Sequence, residues 1–265
     1  MSATSSPPQP IASPEAAIAA LKCDDNQIRY YAAWWLGKHQ VKSAYPALCE
    51  ALEDEDYRTA QGGYPLRRQA ARALGQLKAS EAVEALVEAL ACEGDPQLKE
   101  AAIQALGAIA DPRAVTPLVA LLDRGGEQPY EALIEALASL QVWSVSERIE
   151  TFLSHPSERV QCAAARYLFL KTKDSHYLQR IIANLDHENP YLRWAAAFDL
   201  GAIAHVEAAQ AIVEAKVANS LKLLNLKRIL EAALKHSPED PEAMASHRQK
   251  CRVLMKAIDN LLIQV

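Results

Sequence analysis

Residues 66–75 read LRRQAARALG, and the same template returns as IRYYAAWWLG at 28–37, LKEAAIQALG at 98–107 and LRWAAAFDLG at 192–201. Each copy runs apolar, charged, variable, small, then Leu-Gly. Weaker copies are YEALIEALASL from Tyr130 and VQCAAARYLFL from Val160. The marker leucines Leu36, Leu74, Leu106, Leu137, Leu168 and Leu200 are spaced by 38, 32, 31, 31 and 32 residues. A period near 31 has room for two short helices and two turns. A degenerate unit at 219–230, NSLKLLNLKRIL, continues the rhythm and brings the count to seven.

Within a unit, Asp95-Pro96 or Asn189-Pro190 opens the first helix, with Asp or Asn as cap and Pro in the first turn. The glycine near the end of the template is expected to stop it. A second helix follows, as in 117–122, PLVALL, whose apolar residues recur at helical rather than alternating spacing. One hairpin cannot bury both of its apolar stripes, so the units must stack on one another. The fold class is therefore all-α, an alpha-alpha superhelix or solenoid of about seven short HEAT-like repeats.

The composition agrees. Half of the 265 residues are hydrophobic and only 9 are glycine, which favours helix and a substantial core. A net charge of −5 provides no global positive field for a nucleic acid, although the local cluster Arg67, Arg68 and Arg72 can hold a small anion. No apolar run approaches the ~20 residues of a membrane span, and MSATSSPPQP is unlike a signal peptide, so a cytoplasmic protein is expected. Cys23, Cys49, Cys92, Cys162 and Cys251 are scattered and odd in number, as reduced core thiols would be. The seven histidines are dispersed without ligand spacing, and Gly62-Gly63 and Gly125-Gly126 lack a phosphate-loop context. Neither a metal nor a nucleotide cofactor is expected.

The termini fall outside the repeats. Residues 1–12 read as a disordered Ser/Pro tail and 13–236 as the solenoid. After the turn SPEDP at 237–241, the segment to residue 265 reads as an amphipathic capping helix with Val253, Leu254, Ala257, Ile258, Leu261 and Leu262 on its apolar face.

The unit resembles the HEAT-like repeat named after phycobilisome lyases. Four further segments resemble the E-type subunit of the heterodimeric phycocyanobilin lyases: RYYAAWWLG at 29–37, GGYPLRR at 62–68, QPYEALIEAL at 128–137 and NSLKL at 219–223. The resemblance spans about residues 15 to 230. It implies an enzyme that acts with an F-type partner subunit, forming a heterodimer. The pair attaches phycocyanobilin, a substrate rather than a cofactor, through a thioether to a cysteine of the apo-phycocyanin α subunit. A related pair attaches and isomerises the bilin on the phycoerythrocyanin α subunit. A non-enzymatic scaffold or bilin chaperone on the same fold is the remaining alternative.

The thiol in this reaction comes from the acceptor, so the lyase needs no nucleophile of its own. Its work is to hold a flat, doubly carboxylated tetrapyrrole and present ring A to the acceptor. A π-system favours aromatic walls. Tyr30 and Trp34 occupy the outward positions of Glu100 and Gln104 in the third unit, one turn apart, and form a candidate platform. Tyr31 and Trp35 take inner positions and are expected to close the end of the core. Tyr64, Tyr130 and Trp194, from the quoted segments, are further bilin-binding candidates.

Arg67 and Arg68 follow the one clear insertion, about seven residues within Glu53–Pro65. They are candidates for the propionates, or for inter-repeat hydrogen bonds. Asp199 stands where other units have Ala73, Ala105 and Ala136. An acid placed there is a catalytic candidate, able to fix the pyrrole nitrogens, or it is paired with Arg166 or Arg193. Glu131, with Glu135 one turn on, is a second candidate acid.

Overall fold

The computed structural model describes residues 11–235 and 240–263. Among these there is no strand, and every regular element is helical. The chain divides into two compact units, 1–145 and 146–265. The first holds α1 (Pro14–Ala20), α2 (Asn26–Lys38), α3 (Tyr45–Leu52), α4 (Pro65–Leu77), α5 (Val83–Ala89), α6 (Pro96–Ile109), α7 (Val115–Arg124) and α8 (Tyr130–Ser139). The second holds α9 (Ser146–Thr151), α10 (Glu158–Thr172), α11 (Ser175–Ala183), α12 (Pro190–Ile203), α13 (Ala208–Glu214), α14 (Asn219–Lys235) and α15 (Pro241–Leu262). Every marker leucine falls on a first helix, from α2 to α12, and α14 is the seventh. This is the all-α solenoid class expected from the repeats.

The helix starts are as the sequence implies. Asp95 caps α6 through Oδ1, accepting from Gln97 and Leu98 N–H at 3.1 Å each. Asn189 caps α12 by accepting from Tyr191 N–H at 2.9 Å. Each such cap contributes about 1 kcal/mol.

The template glycine does not end the helix, contrary to expectation. Gly37, Gly75, Gly107 and Gly201 all lie inside their helices, and α4, α6 and α12 terminate on left-handed Lys78, Ala110 and Ala204 instead. The glycines serve close packing. A Cβ on Gly37 would lie 2.9 Å from Ala73 Cα, one on Gly75 2.8 Å from Ala105 Cα, and one on Gly107 2.8 Å from Ala136 Cα. Leu-Gly in one repeat therefore faces Ala-Leu in the next, and the first helices of unit 1 pack almost backbone to backbone. Around these seams Leu36, Leu66, Leu74, Leu98 and Leu106 are fully buried.

In unit 2 the seam is built from other residues. Phe169 holds the glycine position and Tyr167 the alanine position on α10, both fully buried. Burial pushes the Tyr167 hydroxyl up to about 12. The core gathers Phe169, Leu178, Ile181, Leu200, Ile212, Leu226 and Ile229. On α15, Cys251, Leu254 and Leu261 are buried, Ala257 and Ile258 half-buried, and Val253 and Leu262 exposed. The apolar face of α15 is thus narrower than its sequence suggests. Asp240 caps this helix from Ala243 N–H at 2.8 Å, whereas residues 237–239 of the expected turn and 1–10 of the expected tail lie outside the described residues.

Candidate functional site

Every candidate side chain except Tyr64 lies on the first helix of its hairpin, and Tyr64 immediately precedes one. On α2 the expected division of the aromatic string fails. Tyr31 and Trp34 form the stack, with centroids 5.3 Å apart and planes 28° apart, and Lys38 Nζ lies 4.7 Å over the Trp34 ring. Tyr31, predicted to be internal, is 48% exposed, more than Tyr30 at 36%. Trp35 is half-buried and stacks on His39 at 4.0 Å.

The cause is position in the array. The register equivalents of Tyr31, namely Gln69, Ala101 and Ala132, are buried. Among the described residues the element before α2 is the seven-residue α1, and it leaves that flank of Tyr31 exposed. An (i, i+3) aromatic pair is left standing there as a platform.

The loop that carries the insertion, residues 53–64, is tied at both ends. Asp54 pairs with Arg29 of α2 and accepts from Tyr57 N–H at 3.0 Å. Thr59 N–H donates to Gly63 C=O at 2.8 Å, and Gly63 N–H donates to Thr59 Oγ1 at 3.0 Å. At the far end, Asp95 Oδ2 accepts from Tyr64 N–H and Arg68 Nε, each at 2.7 Å. The Asp95 side chain is only 1% exposed. Burial pushes its carboxyl up, but the hydrogen bonds from Arg68, Tyr64 and Leu98, with the Arg68 charge, outweigh burial and hold it below the usual range.

The two candidate arginines therefore have different roles. Arg68 spends Nε on Asp95, bonds Gln97 through Nη1, and packs Nη2 against Gly63 where any Cβ would collide. Arg67 donates Nε to Leu52 C=O at 2.7 Å, the inter-repeat bond considered from the sequence, and lays its guanidinium 4.9 Å from the Tyr64 ring centroid. Arg58, not singled out from sequence, sits 5.4 Å from the same ring. Its signal was its place in the insertion.

Tyr64 and Trp34 stand ten and two positions before their marker leucines. The eight-position offset corresponds to about 12 Å along parallel helices. Unit 1 thus presents a cationic, aromatic loop and an aromatic platform on neighbouring first helices.

On α8, Glu131 and Glu135 are half-buried one turn apart, and Tyr130 gives its hydroxyl to Gly126 C=O at 2.9 Å. In unit 2, Trp194 is 49% exposed and leans on Phe198 at 4.4 Å, with Tyr191 exposed one turn earlier and Arg228 5.2 Å from the Phe198 ring. Trp194 and Phe198 occupy the same register as Tyr30 and Trp34.

Asp199 is buried and its Oδ2 lies 2.7 Å from Arg159 Nη1 on α10. Arg193, one of the two partners considered from sequence, instead bonds the carbonyls of His187, Glu188 and Lys216. The reason is again the seam: Asp199 faces the preceding first helix, and Arg159 is within reach there. Burial, then the Asp199 charge, pushes the neighbouring Cys162 thiol up to about 11.

These features define a helical-repeat protein that carries exposed aromatic and cationic groups on its first helices and the loop before α4. A family model for HEAT repeats matches residues 63–138, and one for the PBS lyase HEAT-like repeat matches residues 28–54 and 192–217. The chain is 62% identical to the bilin biosynthesis protein PecE of Nostoc sp. strain PCC 7120, over 97% of this chain and 99% of the relative. It is 64% identical to PecE of Mastigocladus laminosus over 97% of each. Identity to the phycocyanobilin lyase subunit alpha of the same Nostoc strain is 43%, over 96% of this chain and 95% of the relative. A solved structure, the complex of CpcE and CpcF of phycocyanin lyase from Nostoc sp. PCC7120, matches with a TM-score of 0.83 at 41% identity, covering 98% of this chain and 99% of that one. The chain belongs to the family of E-type bilin lyase subunits. No described helix is long and apolar enough to cross a membrane.

Proposed function

We propose that this chain is the E-type half of a lyase that, with an F-type partner, attaches phycocyanobilin to a cysteine of the phycoerythrocyanin α subunit with isomerisation. The observation that carries the choice of acceptor is the gap in identity. The two PecE relatives are 62% and 64% identical to this chain, whereas the phycocyanobilin lyase alpha subunit of the same Nostoc strain is 43% identical. The related complex of CpcE with CpcF supports the need for a partner chain.

The residues fit a holding and presenting role. The acceptor thiol adds across the exocyclic double bond of ring A, forming the C–S bond while its proton ends on the bilin, and no group of this chain is consumed. Tyr31, Trp34 and Tyr64 supply stacking faces, and offset stacking contributes about 0.5–1.5 kcal/mol per pair beyond burial. Excluding water from such a surface protects the bilin from addition at the wrong place. Asp199, Glu131, Tyr130 and Trp194 belong to this proposal as candidates for the acid and aromatic contacts.

Coexpression with an F-type subunit, a bilin-producing pathway and either apo-phycoerythrocyanin α or apo-phycocyanin α tests it. Zinc-enhanced fluorescence on a denaturing gel should appear on the phycoerythrocyanin subunit. Labelling of phycocyanin alone would overturn the acceptor, and bilin bound without any covalent product would favour a chaperone.

A further inference from the structure

We propose that Arg58 and Arg67, the two guanidinium groups held over the Tyr64 ring, form the clamp for the two propionate carboxylates of the bilin, and that Arg68 is no part of it. The inference rests on the bilin-binding reading above and adds the groups that take the ligand's charge.

Three observations carry it. First, the two guanidiniums converge on one aromatic ring, at 5.4 and 4.9 Å from its centroid. A cation against a ring face is favourable, and a guanidinium stacked there still has its edge free for a carboxylate. Second, the edges are available. Arg58 is exposed and donates only a long Nε bond of 3.4 Å to Gly62 C=O, and Arg67 uses only Nε, on Leu52 C=O. Among the described residues no carboxylate pairs with either, although Glu53, Glu55 and Asp56 share the exposed loop. Arg68, by contrast, is committed to Asp95, Gln97 and the Gly63 backbone.

Third, the loop is built before any ligand arrives. Gly62 takes φ +88°, a backbone conformation that favours glycine, and so sets the turn that carries Arg58. The Thr59–Gly63 bonds and the Asp95 anchor fix Tyr64 between its neighbours in sequence. In a chain of net charge −5, an unpaired cationic pair on a preorganised insertion calls for an anionic ligand. A fork of two Nη groups matches a carboxylate by two parallel hydrogen bonds.

The test uses the chain copurified with an F-type partner, without acceptor, titrated with phycocyanobilin and with its dimethyl ester, binding being read by absorbance. The wild type should prefer the free acid by about tenfold or more, since a hydrogen bond to a charged group contributes at least that factor. Arg58→Gln and Arg67→Gln should each remove most of that preference and leave ester affinity within about twofold. Arg68→Gln should act on acid and ester alike, through loop stability.

Equal wild-type affinity for acid and ester would overturn the clamp while leaving bilin binding intact, as would equal losses on both ligands in Arg58→Gln. Wild type binding neither form would overturn the bilin reading itself. Arg58 is exposed, so its variant should fold, and far-UV circular dichroism checks this.

Discussion

Replacing Asp95 by alanine should unlock the insertion and measurably destabilise unit 1. Its buried carboxylate accepts four hydrogen bonds: two close the first turn of α6, one fixes Tyr64 N–H, and one comes from the half-buried Arg68. Losing the cap costs about 1 kcal/mol. The Tyr64 bond contributes about 1 kcal/mol net, and the charged bond from Arg68, partly screened by solvent, about 1.5 kcal/mol. The expected loss is therefore about 3–4 kcal/mol, which is a large share of the stability of an ordinary domain.

Asp95→Asn retains a capping oxygen and loses the charge, so about 1.5 kcal/mol is expected. Urea unfolding followed by far-UV circular dichroism measures both. The pH dependence has a definite sign, because the folded carboxyl is held below its unfolded value. Its stabilisation is complete above the unfolded pKa, near 4, and is lost as pH falls through the lower folded pKa. The gap between wild type and Asp95→Asn should shrink accordingly below about pH 4. A loss under about 1 kcal/mol for Asp95→Ala, with an unchanged urea slope, would refute the anchor.

Three further outcomes can be measured. Gly75→Ala should destabilise by about 1 kcal/mol or more, despite the helix-propensity gain of up to ~1 kcal/mol, because the new methyl meets the Ala105 backbone at 2.8 Å; Gly94→Ala, with open space around it, should be near neutral in the same melt. Tyr31→Ala and Trp34→Ala should each leave the helical spectrum intact and weaken phycocyanobilin binding by about tenfold in the absorbance titration, since each removes one face of the stack. Asp199→Ala should cost about 2 kcal/mol in thermal or urea unfolding by removing the carboxylate that the half-buried Arg159 bonds; a simultaneous Arg159→Met should recover a good part of it, and a fully additive loss would count against the pair.

The 31-residue period, the Asp-Pro and Asn-Pro helix starts and the Leu-Gly marker specify the hairpins through local propensity and hydrophobic spacing, which a sequence displays directly. The aromatic string and the Gly-Gly insertion likewise mark where the chain departs from what its repeat needs. Other features depend on neighbours distant in sequence. Only packing shows that Gly75 admits Ala105 rather than stopping α4. Tyr31 stands exposed and stacks on Trp34 although its register equivalents are buried, because register assigns an inner position only where a neighbour covers it. Asp95, twenty-seven residues beyond Arg68, consumes that arginine and leaves Arg58 and Arg67 as the cations over Tyr64. Sequence periodicity reports which residues need burial, but which charged groups remain free is a property of pairings across repeats, and those exist only in three dimensions.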